Sequence, residues 1–416
     1  MVIGGGLAGV ATAHALATAG ERVLLLDMGD TFASGASHSN AGIMTSSMAD
    51  PWNGPGAFRQ VAASFFRRQS ALKVSPLRAL MSARWGLAFL RNSSRSQHAY
   101  ATLQNYILAD YSVHETERLA KCLNVAYDQA SVGSLKVFHE QSALRHGLEL
   151  ASVLSGQGLE HRALSERELF EFEPSLARSK TPIAGGIHFP GDRVGDARVF
   201  SQALGADLAR LGSVAHLSTR ATSIAVEKGK VLGVRTDRGF IAAKVVIVAA
   251  GTFSLALVKP LGVRLPIHPI KGYSITFDGM GPILPTYPII DDAHHIAVTA
   301  FGNRLRVSGM AEISGPSTSL HQGRLDELLH AFRNLFPDIA MQLNVSNAEK
   351  WAGLRPVTPD GLPCIGETGV AGLFVNTGHA HLGWTMAAGS AQMISDLVSA
   401  RQPQIDPQPF DPKRFS

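Results

Sequence analysis

Three glycines near the start of the chain have the spacing of a nucleotide-binding turn. Gly4, Gly6 and Gly9 satisfy G-x-G-x-x-G between a short apolar strand and an alanine-rich helix. The first glycine permits the sharp turn, the second lets the backbone approach a pyrophosphate, and the third lets helix and strand pack closely. Asp27 closes the next apolar run, where a carboxylate can accept hydrogen bonds from ribose hydroxyls. The spacing predicts a dinucleotide site but does not separate NAD from FAD.

Two downstream segments bear on which dinucleotide is bound. KVVIVAAGTFS (244–254) reads as a buried strand ending in small residues, which let a ligand approach the backbone. VNTGHAHLGWTMAAGSAQMISDL (375–397) reads as a strand, a glycine-containing loop and a helix. A helix N-terminus stabilises negative charge of the kind a reduced flavin carries, so this segment favours FAD. The alternative is a packed terminal helix with a glycine-rich lead-in.

Composition and length narrow the class of protein. A chain of 416 residues with 45% hydrophobic and 17% charged residues predicts a globular protein of two domains. Its two cysteines, Cys122 and Cys364, cannot form a disulfide framework and have no metal-ligand spacing. We therefore expect a reducing compartment and no metal site. Since neither a signal peptide nor a membrane-spanning apolar stretch is recognisable, the predicted location is the cytoplasm.

The stretch from Pro51 to Ala109 contains no acidic residue. Its basic residues include Arg59, Arg67, Arg68, Lys73, Arg78, Arg84, Arg91 and Arg95, interleaved with Phe65, Phe66, Leu80, Trp85 and Phe89. Such a segment fits peripheral contact with the inner face of the cytoplasmic membrane, and equally the solvated basic face of a helical insert. No nucleic-acid-binding motif accompanies it, so nucleic acid is not an expected partner.

The predicted secondary structure of the segments that must position these residues changes along the chain. Strands of a parallel sheet are predicted at 21–27, 244–251 and 372–378, with helices at 10–19, 200–212 and 384–400. Residues 51–180 look mainly helical, with one strand at 133–140. KGYSITF (271–277) alternates as a half-buried strand, and residues 294–313 read as a hairpin turning at 301–303. We infer a nucleotide-binding domain built from discontinuous segments, with an α+β domain inserted.

One signature makes the interpretation specific. WAGLRPVTPDGLPCIG (351–366), followed by VNTGHAHLGWTMAAGS, resembles the C-terminal signature of bacterial FAD-dependent D-amino acid dehydrogenases of the small-subunit type. These belong to the larger D-amino-acid oxidase/glycine oxidase family. The resemblance covers nearly the whole chain because four more segments match in order and spacing: SHSNAGIMTSSMADPWNGPG (37–56), GGIHFPGDRVGDARVF (185–200), HPIKGYSITF (268–277) and RLRVSGMAEISG (304–315).

The resemblance implies a fold and an activity. The expected fold class is α/β, a Rossmann-type FAD-binding domain with an inserted α+β substrate domain carrying an antiparallel sheet that roofs the flavin. We place the FAD-binding parts at 1–87, 162–263 and 341–416, and the substrate-domain parts at 88–161 and 264–340. The implied reaction is the oxidative deamination of D-amino acids to 2-oxo acids and ammonia, with hydride passing from Cα to flavin N5.

Three residues form the expected catalytic set. Arg355, in GLRP, matches the family's carboxylate clamp, and a guanidinium binds a carboxylate bidentately; the alternative is an interior ion pair. Tyr273 would add a hydroxyl to that carboxylate or cap the site, or else only pack in its sheet. His379 is expected to shape the flavin loop, because the implied hydride mechanism requires no general base.

The expected cofactor contacts are spread over the chain. They are Gly4, Gly6, Leu7, Ala8, Gly9, Asp27, Met28, Ser39, Asn40, Ala41, Gly42, Ala221, Ala250, Gly251, Gly353, Arg355, Gly378, His379, Leu382, Gly383, Trp384 and Thr385.

Two histidines depart from the family pattern. Ala380-His381 stands where the family usually has a small residue and a threonine, and His38 replaces a residue that is commonly apolar or small. Each histidine either faces flavin or substrate, which would alter substrate preference, or is structural and satisfied by backbone groups.

Several functions remain open at this point. The leading one is a D-amino acid dehydrogenase that passes electrons to a quinone or respiratory acceptor. An oxygen-using oxidase or a dehydrogenase of glycine, sarcosine or a cyclic imino acid such as D-proline or hydroxyproline is the alternative within the family. A flavin-binding subunit of a larger complex is an alternative from another class, and an NAD-dependent dehydrogenase fits the terminal helix less well.

Overall fold

The computed structural model describes residues 1–56, 72–74, 82–281, 284–313 and 315–416. Its strands are β1 (Val2–Ile3), β2 (Leu24–Leu26), β3 (Ile43–Met44), β4 (Leu72–Val74), β5 (Ser134–Phe138), β6 (Arg162–Ser165), β7 (Gly185–Phe189), β8 (Arg193–Val194), β9 (Val214–His216), β10 (Ala221–Glu227), β11 (Lys230–Thr236), β12 (Gly239–Ala242), β13 (Val246–Val248), β14 (His268–Phe277), β15 (Ile289–Asp291), β16 (Ile296–Phe301), β17 (Arg304–Ile313), β18 (Glu349–Val357), β19 (Cys364–Glu367) and β20 (Leu373–Thr377). Its helices are α1 (Leu7–Thr18), α2 (Ala83–Arg91), α3 (Arg95–Leu123), α4 (Gln141–Ser155), α5 (Glu166–Phe172), α6 (Ala197–Arg210), α7 (Ser254–Val258), α8 (Gln322–Leu335), α9 (Pro337–Ala340) and α10 (Gly383–Val398).

A six-stranded sheet has the order β19-β20-β13-β1-β2-β9. All neighbouring strands in it run parallel except the edge strand β19, which is antiparallel to β20. Because the carboxyl ends of parallel strands share one edge of a sheet, the loops after β1, β2, β13 and β20 lie side by side. This edge is where the predicted nucleotide turn is located.

Helices α1, α6 and α10 contact the six-stranded sheet, and α3 packs on α10. Their shared core contains Val10 of α1, Leu108 of α3, Phe200 of α6 and Met393 of α10. The long α3 therefore holds α10 in place, and α10 in turn fixes the loop that precedes it. The helical packing thus positions two helix N-termini, those of α1 and α10, close to the carboxyl edge of the sheet.

A second sheet of nine strands is largely antiparallel. Its order is β18-β14-β17-β16-β15-β5-β7-β6, with β4 pairing parallel to β17. The predicted hairpin is confirmed, since β16 and β17 pair antiparallel with Phe301 opposite Arg304. Together with the parallel sheet, this confirms the predicted α/β fold class. Two smaller sheets, β10-β11-β12 and β3-β8, complete the described strands.

Strand β14 differs from its predicted half-buried pattern, because every residue from Ile270 to Phe277 is buried. One face packs against α8 in an apolar core that includes Ile275 and Leu328. The other face contacts the loop that follows β2, where Ser39 Oγ lies 3.4 Å from Thr276 Oγ1. The strand is therefore sandwiched between the two parts of the molecule, which a sequence pattern alone cannot reveal.

Strands β6, β7 and β18 were not among the predicted elements. β18 contains Gly353 and Pro356, which obscure a strand pattern, but it forms one edge of its sheet, where proline is tolerated. Sheet membership also crosses the predicted domain boundaries, because β4, β6, β7 and β18 join the nine-stranded sheet although they fall in segments assigned to FAD binding. The division into domains stays a prediction.

Candidate functional site

The glycine turn connects β1 to α1 without room for a side chain at Gly4 or Gly9. Gly4 has a φ of +118°, and a methyl group there would lie 2.5 Å from the Ala249 carbonyl oxygen. A methyl group on Gly9 would collide with the carbonyl of Gly4. Leu7 and Ala8 form the first turn of α1. The glycines therefore let the helix start directly against the strand, which is the geometry that a pyrophosphate site requires.

The N-cap residue of α1 is Gly6, which has no side chain that could cap the helix. One first-turn amide, that of Leu7, donates to Ser37 Oγ at 3.1 Å. Unpaired amides at this end, together with the helix dipole, favour a bound anionic group. The turn thus fits the diphosphate of a dinucleotide.

Asp27 lies beside the turn at the end of β2. Its carboxylate accepts hydrogen bonds from the amides of Gly5 and Gly29, the latter at 2.7 Å. A carboxylate has about four acceptor sites, so both oxygens can still receive ribose hydroxyls. The next residue, Met28, is 48% exposed.

Two further strand ends lie at the same edge of the sheet. Ala250 and Gly251 follow β13, and the Thr377 hydroxyl at the end of β20 donates to the Gly251 carbonyl at 3.1 Å. The Thr219 amide donates to the Asp27 carbonyl at 2.7 Å, which brings Ala221, at the start of β10, to the same side. The structure therefore collects the predicted contacts from four separate segments.

The loop of residues 39–42 connects this edge to the nine-stranded sheet. Arg306 donates to the Asn40 carbonyl at 3.0 Å, and Thr299 donates to the Ala41 carbonyl at 2.8 Å. Gly42 has a φ of +72°, and a side chain there would collide with the Phe301 ring. Ser39, Asn40, Ala41 and Gly42 are thus held between the two sheets, where a cofactor bound at the turn would extend towards substrate.

The loop before α10 is built from unusual backbone. Gly378 and the non-glycine Ala380 both have positive φ, +87° and +48°. Such conformations in non-glycine residues are strained and concentrate at functional sites. α10 starts at Gly383, directly after a 3-10 turn of Ala380–Leu382, and no side chain caps it. This arrangement is what the flavin-loop interpretation requires.

The sequence predicts cofactor contacts for Leu382, Trp384 and Thr385, whereas the side chains of these residues make contacts within the protein. The Trp384 indole donates to the Gly195 carbonyl at 3.0 Å, and its ring packs in the helical core against Tyr127 and Phe200. Leu382 is buried in the same core. The Thr385 hydroxyl accepts a hydrogen bond from the Thr45 amide at 3.0 Å. The structure therefore buries the Trp384 and Leu382 side chains in the helical core.

His379 is a buried neutral side chain. Its Nε2 donates to Ser390 Oγ at 3.2 Å, since that hydroxyl itself donates to the Ala387 carbonyl. Burial lowers the pKa of His379 to about 4. At neutral pH the imidazole carries no charge, and its hydrogen bond fixes the loop onto α10. This geometry favours the predicted shaping role.

Arg355 is a half-buried cation with few partners among the residues that the structure describes. Its guanidinium donates to the Met310 carbonyl at 2.9 Å, and Cζ lies 5.7 Å from the Trp52 ring centre. Within the described ranges no carboxylate lies within 4.0 Å of it, so the interior ion pair weighed above is absent there. Burial lowers its pKa to about 10. An arginine buried without a counter-ion is costly unless a ligand supplies one.

Gly272 provides the space that the Arg355 guanidinium occupies. A methyl group on Gly272 would collide with Nη1, Nη2 and Cζ of Arg355. Gly353, which pairs with Gly272 across β18 and β14, would likewise bring a methyl group to 3.1 Å from the Ala36 Cα. The two glycines thus let the β18 edge approach the nucleotide side closely.

Met310 supplies the carbonyl from a bulged position. The register between β14 and β17 shifts between Lys271 and Tyr273, and Met310 falls in the shifted segment with a φ of +64°. A bulge leaves a residue unpaired in the ladder and re-aims its groups. Here the carbonyl freed from the ladder accepts from Arg355. Sequence reasoning missed both Met310 and Trp52; the glycine in KGYSIT was the one signal of a close approach.

Tyr273 does not meet Arg355. Because side chains alternate along a strand, Tyr273 points to the face of β14 opposite the one that Gly272 and Arg355 share. Its hydroxyl donates to Glu312 Oε2 at 2.6 Å, in the core beneath α8. Burial and the neighbouring carboxylate raise the pKa of Tyr273. The structure therefore supports the packing alternative over contact with a substrate carboxylate.

The two departing histidines both have protein partners. His38 stacks on Trp351 at 4.0 Å, and its Nε2 lies 2.8 Å from Glu349 Oε1. His381 donates from Nε2 to the Met48 carbonyl at 3.0 Å and stacks on Trp52 at 5.3 Å. Burial lowers the pKa of His381. Both contacts favour the structural alternative, although the Trp52 stack brings His381 next to the ring beneath Arg355.

The basic segment is described only in part. Arg59, Phe65, Phe66, Arg67, Arg68, Arg78 and Leu80 lie outside the described residues. Helix α2 exposes Arg84, Leu87, Leu90 and Arg91, while the Trp85 indole donates to the Val357 carbonyl at 3.2 Å. None of the helices in the described ranges is long and apolar enough to cross a membrane.

Comparison with known proteins gives concordant results. A family model described as FAD dependent oxidoreductase matches residues 1–397. A D-amino acid dehydrogenase from Rhizobium johnstonii is 38% identical over 411 residues, covering 98% of this chain and 97% of the relative. A D-amino acid dehydrogenase from Cereibacter sphaeroides is also 38% identical, covering 100% of this chain and 95% of the relative.

Solved structures agree on the fold. The glycine oxidase from Geobacillus kaustophilus superposes with a TM-score of 0.75 at 25% identity, covering 100% of this chain and 98% of that one. The L-proline dehydrogenase from P. horikoshii superposes with a TM-score of 0.78 at 18% identity, covering 100% and 96%. At the latter identity the likeness concerns the fold alone.

Proposed function

Because the chain belongs to the family of FAD-dependent oxidoreductases, we propose that it catalyses the oxidative deamination of D-amino acids to 2-oxo acids and ammonia. The observation that carries this proposal is the guanidinium of Arg355, half-buried beside Trp52 with one backbone acceptor and no carboxylate within the described residues. The full-length likeness to relatives named D-amino acid dehydrogenase supports the same substrate class.

The fit of FAD to this chain rests on the carboxyl edge of the six-stranded sheet. Gly4, Gly6 and Gly9 leave space for a pyrophosphate, and the uncapped N-terminus of α1 favours its charge. Asp27 is placed to receive ribose hydroxyls, and the dipole of α10, which begins at Gly383, favours negative charge at that end of the helix. When bound, FAD would supply the chemistry of accepting a hydride from the substrate Cα.

Arg355 would bind the substrate carboxylate. A guanidinium offers two parallel N–H donors that match the two oxygens of a carboxylate, which fixes the orientation of the substrate as well as its position. The hydrogen bond to Met310 and the Trp52 ring hold the guanidinium in place before substrate arrives. Preorganisation of this kind lowers the entropy lost in reaching the reactive geometry.

The protonation state of His379 also fits a hydride reaction. His379 is neutral, buried and occupied by Ser390, so it is not available as a general base. The substrate amine would therefore bind in its neutral form or lose its proton to solvent. Loss of hydride from Cα would then give an imino acid. Hydrolysis of that imino acid then yields the 2-oxo acid and ammonia.

An anaerobic substrate screen tests the proposal. The full chain is purified with its flavin and mixed with D-amino acids, their L-enantiomers, glycine, sarcosine and D-proline. We expect D-amino acids to bleach the flavin absorbance and to release equal amounts of 2-oxo acid and ammonium when a dye acts as acceptor. Bleaching only by glycine, sarcosine or an imino acid would replace the substrate class. A flavin-containing chain that none of these compounds reduces would overturn the proposal.

For the electron acceptor we propose a quinone or respiratory carrier reached at the membrane surface. The exposed face of α2 combines Arg84 and Arg91 with Leu87 and Leu90, and such faces bind anionic bilayers through charge and apolar contact. Cosedimentation with anionic vesicles should fall when Leu87 and Leu90 are replaced by serine. Leu232→Ser, at a similarly exposed position of β11, is the matched control. Rapid hydrogen peroxide release in air with no quinone reduction would favour an oxidase instead.

A further inference from the structure

Two histidines and an aspartate meet at the far end of the nine-stranded sheet. His139 directly follows β5, and Asp291 is the last residue of β15. These strands are parallel neighbours, with Asp291 opposite Val137, so their carboxyl ends lie at one edge. His294 follows in the turn between β15 and β16. The cluster therefore joins residues 152 positions apart, which explains why the sequence predicted no metal site.

The three side chains present their ligand atoms to one another. His139 Nε2 lies 3.0 Å and His294 Nδ1 lies 2.8 Å from the same atom, Asp291 Oδ2. All three ligand atoms lie within 4.8 Å of one another. Zinc and other divalent transition metals bind imidazole nitrogens and carboxylate oxygens at about 2.0–2.2 Å, so their ligand atoms must converge in this way.

The remaining polar atoms of the cluster are already oriented by the backbone. His139 Nδ1 lies 2.7 Å from the Pro182 carbonyl, to which it donates, and this leaves Nε2 as the nitrogen for a metal. Asp291 Oδ1 accepts from the amides of Ala293 and His294 at 3.0 and 3.1 Å, which leaves Oδ2 facing the histidines. Hydrogen bonds of this type fix the tautomer and orientation of metal ligands in proteins.

Burial also suits a metal centre with one open position. The Asp291 side chain is fully buried and that of His139 is 9% exposed, whereas that of His294 is 35% exposed. The neighbouring Lys136 ammonium is paired with Asp292 at 3.0 Å, so its charge is locally balanced. Solvent thus reaches the cluster from the His294 side, where a water molecule can complete a tetrahedral set.

We propose that His139, Asp291 and His294 form a binding site for one divalent transition-metal ion, with zinc as the ligand to test. The ion would join the end of β5, the turn after β15 and, through Pro182, the segment before β7. Its role would be to cross-link this end of the sheet. None of the hydrogen bonds given for the three side chains leads to Arg355 or to the glycine turn, and the proposal does not depend on the proposed reaction.

Calorimetric titration with Zn²⁺ tests the site. The full flavin-containing chain, prepared without a polyhistidine tag and treated with a chelator, should bind one ion with saturation. Asp291→Asn and His294→Asn should each weaken this binding at least about 10-fold. His146→Asn is the control, because His146 lies in an exposed pair with Glu149 at 3.7 Å and should leave the affinity unchanged. Absence of saturable binding, or equal affinity in both cluster variants and the wild type, would overturn the proposal.

A thermal measurement keeps the proposal testable if a variant is unstable. Asp291→Asn retains Oδ1 for the two backbone amides, and His294 is partly exposed, so flavin content should stay at the wild-type level in both. Zn²⁺ should raise the Tm of the wild type and of His146→Asn, because a ligand that binds only the folded state stabilises it. No Zn²⁺-dependent rise in the wild type, or the same rise in the cluster variants, would show that these residues form only an ion-free hydrogen-bond network.

Discussion

The guanidinium of Arg355 is held by the main-chain carbonyl of Met310, at a distance of 2.9 Å, across the antiparallel sheet. Met310 can offer that carbonyl because it lies in a bulge with positive φ, which takes it out of the strand ladder. The bulge at Met310 therefore fixes the Arg355 guanidinium over Trp52. Among the described residues, the Met310 carbonyl is the one hydrogen-bond acceptor given for this guanidinium.

Replacing Arg355 by methionine should raise the KM for D-amino acids by about 100-fold. Loss of a charge-assisted pair to the substrate carboxylate removes about 3 kcal/mol of binding. FAD content should stay at the wild-type level, since no glycine of the turn is altered. Steady-state kinetics of the flavin-loaded variant provide the measurement, and Arg355→Lys should fall between the two because it keeps charge but not the bidentate geometry. An unchanged KM in Arg355→Met would refute the clamp.

Replacing Gly272 by alanine should impair the site without touching substrate directly. The added methyl group would collide with the Arg355 guanidinium and displace it, and we expect a KM increase of about 10-fold. Gly323→Ala is the matched control, because a methyl group there meets open space on α8. If both alanine variants behave as the wild type, the guanidinium does not occupy this position during turnover.

Replacing Tyr273 by phenylalanine should reduce stability and leave substrate binding alone. The lost hydrogen bond joins a buried hydroxyl to the Glu312 carboxylate, and removing it should lower the free energy of unfolding by about 2 kcal/mol. Urea unfolding measures the first effect and the KM for a D-amino acid the second. A large rise in KM at unchanged stability would instead restore the tyrosine to the substrate site.

Replacing Gly9 by alanine should abolish FAD binding. The methyl group would collide with the Gly4 carbonyl and push α1 away from the turn that the pyrophosphate needs. The ratio of flavin to protein absorbance in the purified variant measures the effect. Gly86→Ala in α2, where a methyl group meets nothing within 4 Å, should remain yellow. Full flavin content in Gly9→Ala would contradict the assignment of the turn.

The free energy of unfolding should depend on pH through His379. Burial lowers the pKa of His379 from its usual 6.5 to about 4, so the unfolded chain binds a proton in this window that the native protein does not. Stability therefore falls as pH decreases from 6.5 towards 4, by an amount on the order of 3 kcal/mol, and is independent of this group above that window. His379→Gln should unfold with a shallower pH dependence than the wild type in urea titrations at several pH values. Identical slopes would show that His379 titrates normally.

Much of the nucleotide-binding half could be predicted because its signals are local. The glycine spacing at residues 4–9 and the apolar run ending at Asp27 each depend on neighbours within a few turns of chain, and the same holds for one hairpin of the antiparallel sheet, residues 294–313. A strand followed at once by glycines and a helix specifies its own geometry, since backbone sterics and hydrogen bonds within the segment decide it. The resemblance in GLRP and the terminal loop then identified the family that the comparisons confirm.

Beyond that hairpin, the contacts within the antiparallel half were decided only by tertiary structure. Whether Tyr273 shares a face with Arg355 depends on the pairing of β14 with β18, because a shift of one residue would exchange the two faces of a strand. The meeting of His139 with Asp291 likewise depends on the parallel pairing of β5 with β15. By itself the sequence determined which residues could bind FAD and a carboxylate. The structure alone determined which of them meet, because contacts between distant strands follow from register and packing of the whole chain.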